Sequence, residues 1–268
     1  MANIESWQKH DITVSRYVED YINDFSEDPD VVSVWRFEDE ALLVDSSGNN
    51  NTLHVEDQTP TNDLVNFKEG SSSVQLQAAS DADCLSIDNA SLSDNHPLKY
   101  LSEDNTFSLT FWARFDTLPA ATGPPGSYWR LCFYQSGCIL TGVRNTVNHG
   151  GGGINFVIAF YGGGTDPWEP YITHASTVQT GRWYHIAFTY NASDDSYRLR
   201  IWDDTARDIL GVDKVGTTEI PLPGPQYPLN LGTTYYQDAM DGNLDEMVLF
   251  KRVLTVEEID KIRQGIFP

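Results

Sequence analysis

The chain has 268 residues, 40% of them hydrophobic and 12% aromatic, and 39 acidic against 17 basic side chains give it a net charge of −22 at pH 7. This apolar content excludes a disordered acidic tail, because a chain of this length can remove about 75% of its unfolded surface from water. The charge argues against a nucleic-acid partner, and no run of about 18 apolar residues is present to form a membrane-spanning helix.

The first ten residues, Met1 to His10, lack the basic start and continuous apolar core of a secretory signal. Export is therefore unconventional, or the signal is not part of this chain, or the protein acts inside a cell or a virion; an extracellular surface or virion is the expected location. Val14, Tyr17, Val18, Tyr21, Ile22 and Phe25 then recur at steps of three and four, with Arg16, Glu19, Asp20, Asn23 and Asp24 on the opposite side. This periodicity predicts an amphipathic helix, capped by Asp11 or Thr13 and stopped at Asp28-Pro29-Asp30. Its apolar stripe needs a partner, either the body of the same chain or a neighbouring subunit. The segment 1–30 is read as a helical lead-in and 31–268 as one domain.

From Val31 onward the period changes to two. Phe107, Leu109, Phe111, Ala113 and Phe115 alternate with Ser108, Thr110, Trp112 and Arg114, the pattern of a strand with one face in a core. Tyr184, Ile186, Phe188 and Tyr190 repeat it, and the turn Asn191 to Asp195 leads to Tyr197, Leu199 and Ile201, which predicts a hairpin. Further strands are predicted at Val31–Phe37, Ser73–Leu76, Cys84–Ile87, Trp129–Tyr134, Ile154–Tyr161, Leu229–Gly232 and Leu244–Phe250. At the end, Thr255 and Glu258 have capping-box spacing and Gly265 is a helix stop, so one short helix closes the chain. Many short strands without alternating long helices indicate an all-β sandwich or jelly roll. Cys84, Cys132 and Cys138 are an odd set; Cys132 and Cys138 either pair across a tight turn or stay as two buried thiols.

Three separated segments resemble one family. They are Val34-Trp-Arg-Phe-Glu-Asp39 followed by Asp45-Ser-Ser-Gly-Asn-Asn-Asn51; Phe107-Ser-Leu-Thr-Phe-Trp-Ala113 with Gly181-Arg-Trp-Tyr-His-Ile-Ala187; and Leu229-Asn-Leu-Gly232 with Asp241-Gly-Asn-Leu-Asp-Glu-Met-Val-Leu-Phe250 and the closing helix. Together they are similar to the laminin G-like jelly rolls of the concanavalin A-like lectin and glucanase superfamily. The resemblance implies a two-sheet antiparallel jelly-roll sandwich, with the Trp183 hairpin in the middle and the Leu244 strand returning beside the N-terminal strand. The lead-in before Trp35 is similar to modules of phage tail proteins and large bacterial surface proteins.

Asp45 to Asn51 concentrates oxygen donors in a tight turn, and calcium takes six to eight oxygens. The glycine comes fourth and no Glu follows at position twelve, so it is no EF-hand. The resemblance implies a calcium ion held by Asp45 and Asp245, with Asn50 and Thr52 as carbonyl donors; the alternative is an Asx turn bonded to its own backbone. Glucanases of the resembling superfamily use a Glu-x-Asp-x-x-Glu strand, whose alternation brings two carboxyls about 5 Å apart. Here Asn243 and Val248 stand where those glutamates would be, which argues against catalysis. The six histidines show no zinc spacing, and His185 is expected to be structural. No phosphate loop is present, since the Gly150 to Gly153 run lacks the following Lys-Ser/Thr.

The stretch from Pro119 to His174 exceeds a minimal sandwich. It holds Tyr128, Trp129, Arg130, Tyr161, Asp166, Trp168 and Tyr171 among glycines and prolines, and aromatic rings beside polar groups suit sugars, whose C–H faces stack while hydroxyls need partners. Trp129, Arg130, Tyr161, Asp166, Trp168 and Tyr171 are the expected ligand-binding set. The functional expectation is a non-catalytic, calcium-stabilised recognition or adhesion module for a glycan or surface polysaccharide. The competing expectations are a structural component of a phage virion or bacterial surface assembly and, less favoured, a glycoside hydrolase.

Overall fold

The computed structural model describes residues 23–57, 59–78, 83–88, 92, 96, 106–119, 129–135, 139–145, 153–160, 171–174, 177–218, 228–232 and 239–268. Their strands, in chain order, are β1 (Val31–Trp35), β2 (His54–Asp57), β3 (Thr61–Asp63), β4 (Ser73–Leu76), β5 (Asp83–Ile87), β6 (Phe107–Phe115), β7 (Trp129–Gln135) and β8 (Ile139–Asn145). There follow β9 (Ile154–Phe160), β10 (Tyr171–Thr173), β11 (Trp183–Asn191), β12 (Ser196–Asp203), β13 (Asp208–Ile209), β14 (Lys214–Thr217), β15 (Leu229–Gly232) and β16 (Gly242–Phe250), with one helix, α1 (Val256–Arg263). One sheet runs β13-β12-β11-β6-β16-β4-β3, with β1 also on β16 and β14 on β12; the second runs β10-β9-β8-β7-β15-β5-β2. This is the expected all-β two-sheet antiparallel sandwich. β16 brings the C-terminal end of the chain antiparallel to β1, with Val34 opposite Val248.

Between the sheets lies one apolar interior. Phe107, Leu109, Phe111, Ala113 and Phe115 of β6 all enter it, as their alternation predicts, and meet Tyr184, Ile186, Phe188 and Tyr190 of β11 and Phe133, Phe156 and Phe160 of the facing sheet. Each such ring or branched side chain contributes about 1.5–3 kcal/mol when taken out of water. The predicted hairpin is present, with Asn191 opposite Ser196, and the Tyr190 hydroxyl donates to Asp195 in its turn.

The reverse of β6 differs from the expected polar surface. Ser108, Thr110 and Trp112 are buried as well. Ser108 is bonded to Arg252 O and Leu254 N–H, the Lys68 ammonium lies 4.6 Å from the Trp112 ring centre, and a third layer closes on this side of the larger sheet: Ile259 and Ile262 of α1, Leu254, Phe267 and Phe25 pack on Val31, Val34, Ala187, Val248 and Phe250. Phe25 sits 5.9 Å from the Phe250 ring and 5.3 Å from that of Phe267. Charged groups seal the rest of this layer. Arg200 of β12 reaches both Asp213 and Asp260 of α1, and the Arg263 guanidinium lies 3.8 Å from the Trp202 ring centre. His185 is buried beneath them against Trp112 at 5.1 Å; burial, then the cations Arg263, Arg200 and Lys68, push its pKa down to about 3, so it is a neutral structural histidine as expected.

The helix α1 starts as predicted, with Thr255 accepting from the Glu258 N–H and the Glu258 carboxylate accepting from the Thr255 N–H. Gly265 takes φ 72° just past its end. The predicted N-terminal helix lies outside the described residues except for its last positions. There Asn23 and Phe25 are not helical, and Asn23, expected on the solvent side, is 1% exposed. Its amide donates to both Glu69 oxygens and to the Ile262 carbonyl, and its own oxygen accepts from Phe267 N–H. This one side chain joins the lead-in, the β3–β4 loop and the C-terminal end.

Periodicity did not reveal β2, β3, β8, β10, β13 or β14. In β8 every residue is buried, so no alternation betrays it. Its Gly142 is required by close approach, because a Cβ there would stand 2.1 Å from the Arg130 carbonyl oxygen. Cys132 is a buried reduced thiol whose pKa burial pushes far up, and Cys138 lies outside the described residues. No described helix is long and apolar enough to span a membrane.

Candidate ligand-binding surfaces

The Asp45 turn is built around an irregularity in β1. The register against β16 shifts between Val31 and Ser33, which leaves Val32 out of the ladder with its carbonyl in need of donors. The turn supplies them: the side-chain amides of Asn49 and Asn51 donate to Val32 O at 3.0 and 2.8 Å. In return Asp45 is filled from the protein. One carboxylate oxygen accepts from Val34 N–H and Ser47 N–H, both at 2.9 Å; the other accepts from the Ser47 hydroxyl at 2.8 Å and Asn51 N–H at 2.9 Å. The Trp35 indole donates to Asn51 O at 2.9 Å, so the turn is also pinned to the interior.

These bonds are those of a self-bonded Asx turn. Asp245 is engaged elsewhere, accepting the backbone N–H groups of Lys68, Glu69 and Glu246 at 2.6, 3.3 and 2.9 Å. Asp45 and Asp245 share no hydrogen-bond partner, and a cation at Asp45 would compete with the four donors already on its two oxygens. Among the described residues no group of three or more His, Cys, Asp or Glu is arranged to hold a metal ion. Asn50 adopts φ 61°, and it and Thr52 are exposed beside the turn.

Asp245 belongs to a second carboxylate group. The register of β16 against β6 breaks between Asp245 and Val248, and Glu246 takes φ 44°. That irregularity places Asp245, Glu246 and Glu69 together beneath the third layer, 0%, 2% and 8% exposed. Arg36 donates to Glu246 at 3.0 Å and to the Asn23 carbonyl at 2.6 Å. The other Glu246 oxygen is buried with no partner. Burial foremost pushes all three pKa values up, Glu69 to about 7, and their mutual repulsion adds to this for Asp245 and Glu246. Asn243, which is fully buried, is held by Asp63, Ser73 and Arg114.

The expected aromatic set is only partly gathered. Trp129 pairs with Arg144, whose guanidinium sits 4.9 Å from its ring centre, and Leu131, Tyr134, Leu140 and Ala159 form a small cluster on this outer face of the second sheet. Tyr171 takes the register position opposite Ala159, on the same face. Three strand spacings separate it from β7, about 14 Å, so one sugar ring cannot bridge the two positions. Arg130 is opposite Val143 in the interior-facing register, and donates to the Thr117 hydroxyl and the Trp129 carbonyl. Sequence neighbours in a strand face opposite ways, which separates Trp129 from Arg130. Tyr161, Asp166 and Trp168 lie outside the described residues.

One cleft was not anticipated. A cavity of about 390 Å³ opens beside the Asp45 turn, lined by Asn49, Asn50, Asn51, Thr52, His54, Ile87, Leu92 and His96. Its sequence signal is the run Asn49 to Asn51, of which Asn50, with Thr52, is the expected carbonyl donor to calcium.

A family model described as the concanavalin A-like lectin/glucanases superfamily, of the laminin G type, matches residues 86–260. No curated protein matches the chain. Among solved structures, domain 4 of an extracellular GH43 arabinanase from Geobacillus stearothermophilus, in complex with arabinotriose, is 16% identical with a TM-score of 0.57, over 87% of this chain and 98% of that one. The binding domain of Paraclostridial mosquitocidal protein 1 is 15% identical with a TM-score of 0.60, over 87% of this chain and 52% of that one. The binding domain of botulinum neurotoxin DC, in complex with rat synaptotagmin II, is 13% identical with a TM-score of 0.59, over 88% and 52%. This chain spans about half the length of those two toxin domains.

Proposed function

The chain belongs to the concanavalin A-like lectin/glucanases superfamily, and from that premise we propose that it is a non-catalytic module that recognises carbohydrate. The observation that carries this reading is the condition of β16. Hydrolysis needs two carboxyl groups that a substrate can reach, and on β16 Asn243, Asp245 and Glu246 are at most 2% exposed, with Asp63, Ser73 and Arg114 on Asn243, Lys68 and Glu69 on Asp245, and Arg36 on Glu246. The arabinotriose complex of one similar structure and the binding domains of toxins among the others support recognition as the use of this fold. Trp129, partly exposed on the second sheet, is a stacking ring worth about 1 kcal/mol. Single-site affinity is accordingly weak and gains from multivalent display.

The test is a glycan array probed with a multimeric form of the full chain, run beside a reducing-sugar release assay. Binding to neutral or basic glycans without release is the expected result, since a net charge of −22 repels uronate and sulfate polymers. Absence of any hit in multivalent format, or hydrolysis abolished by Asp245→Asn, overturns it. A second reading, a structural part of a virion or surface assembly, is favoured by one feature: the β3–β4 turn exposes Leu64 and Val65 at 58% and 84%. An array without hits, together with self-association lost in Leu64→Ser/Val65→Ser, would select that reading.

A further inference from the structure

We propose that the cleft beside the Asp45 turn is a subsite for one neutral sugar unit, with hydroxyl groups of the ligand donating to the asparagine side-chain oxygens. This inference rests on the recognition function above and assigns it a place. The orientation of the amides is dictated by chemistry. Val31 O and Val32 O can only accept, so the Nδ2 groups of Asn49 and Asn51 must face them. That leaves Oδ1 of each amide as the acceptor for a ligand, on an exposed side chain at Asn49 and on one 5% exposed at Asn51, both of them lining the cleft. Asn50 and Thr52, both exposed, add an amide and a hydroxyl that can donate or accept, and His54 of β2 adds an imidazole at the rim.

The remaining wall is apolar. Leu92, half-buried, gives the apolar contact for a C–H edge of a pyranose or furanose ring, with Ile87, 3% exposed at the end of β5, backing it from the interior. None of the lining residues is Asp, Glu, Lys or Arg. The nearest carboxylate identified, Asp45, has its oxygens filled by four protein donors. Burial lowers the His96 pKa against the opposing pull of Asp45, which keeps that imidazole neutral at pH 7. Among the described residues an ionic ligand therefore finds no counter-charge here, whereas a neutral polyol finds acceptors on one side and an apolar wall on the other. A volume of about 390 Å³ falls within the roughly 300–1,000 Å³ of small-molecule sites. The turn is already tied to β1 and Trp35, so its polar groups are positioned before a ligand arrives, which lowers the ordering penalty of binding.

The test is titration of the isotopically labelled full chain with arabinotriose, lactose and N,N′-diacetylchitobiose at millimolar concentrations, followed by amide NMR. At least one of these sugars is expected to shift the resonances of Asn49 to His54 and Ile87 above all others. Asn50→Gly keeps the left-handed backbone while removing the amide, and Thr52→Val removes the hydroxyl. Their combination is expected to weaken that binding at least about fivefold with the melting temperature unchanged. Shifts centred on Trp129 and Arg144, with affinity lost in Trp129→Ala and kept in the double variant, overturn this subsite and leave the recognition function standing. Absence of shifts with all three sugars, while the array gives hits on other glycans, overturns the subsite alone; absence of both overturns the two together. Stronger shifts with glucuronate, or with a neutral tetrapeptide and no sugar, overturn the assignment to neutral saccharide.

Discussion

Asp45 and the Glu69–Asp245–Glu246 group are both buried acids beside β1, and they are accommodated in opposite ways. Asp45 is 7% exposed, and four short N–H and O–H bonds compensate its lost hydration. The second group brings three carboxyls together with one guanidinium, that of Arg36, directly bonded to Glu246, and leaves one Glu246 oxygen unpartnered. Donors on every lone pair make a buried charge tolerable; where donors and counter-charges are too few, protons must take their place, and the pKa values rise. The second group is expected to lose stability as pH rises through its raised pKa values.

The largest expected effect comes from breaking the ion pair of the second group. Arg36→Met removes the charge beside Glu246 and the donor to the Asn23 carbonyl, which ties in the lead-in; the expected loss is about 3 kcal/mol near pH 8, from the usual penalty of an orphaned buried charge. At pH 5, where Glu246 can hold a proton, the loss should shrink. Urea unfolding at the two pH values checks this, and equal losses would show that the group is not proton-linked.

Disturbing the first site should act more modestly. Asp45→Asn leaves too few acceptors for the donors that meet there, and the expected loss is about 2 kcal/mol. The comparison sharpens if melting is followed both in calcium and in chelator. A self-bonded turn loses the same amount in each, whereas a loss confined to calcium would give the carboxylate to a metal.

The smallest effect has the opposite sign. The folded-state pKa of Glu69 is raised from 4.5 to about 7, so its favourable contribution is complete below pH 4.5 and disappears as pH climbs through 7. Glu69→Gln keeps an acceptor for Asn23 and removes the charge. It should raise stability at pH 8 by on the order of 1 kcal/mol, change little at pH 4.5, and flatten the pH profile between them. A variant less stable than the parent at pH 8 would mean that Asn23 and Arg36 fully compensate the ionised glutamate.

Much of this molecule follows from local pattern. The alternation in β6 and β11 assigned the rings to one interior, Thr255 and Glu258 marked the helix start, and the Asn191–Asp195 turn joined β11 to β12, because each depends on neighbours a few residues away. The Asp45 turn was equally visible as a cluster of oxygen groups. The partners that complete it were not, since they are the carbonyl of Val32 and the amide of Val34, freed or placed by a bulge against β16.

Period two states which residues share a face; it does not state what that face meets. Ser108, Thr110, Trp112, Asp245 and Asn23 look like solvent groups in a linear chain and are buried because distant segments close over the larger sheet, among them the 252–254 turn on Ser108, the β3–β4 loop on Trp112 and Asp245, and the C-terminal end on Asn23. Trp129 and Arg130 look like one polar-aromatic patch, and the pleat turns them to opposite faces. The sequence alone thus determined the strands with a single buried face, the closing helix and the superfamily resemblance. Only the tertiary structure decided where the buried charges, their missing counter-ions and the asparagine-lined cleft lie, because each is made by segments distant in sequence whose approach no local periodicity encodes.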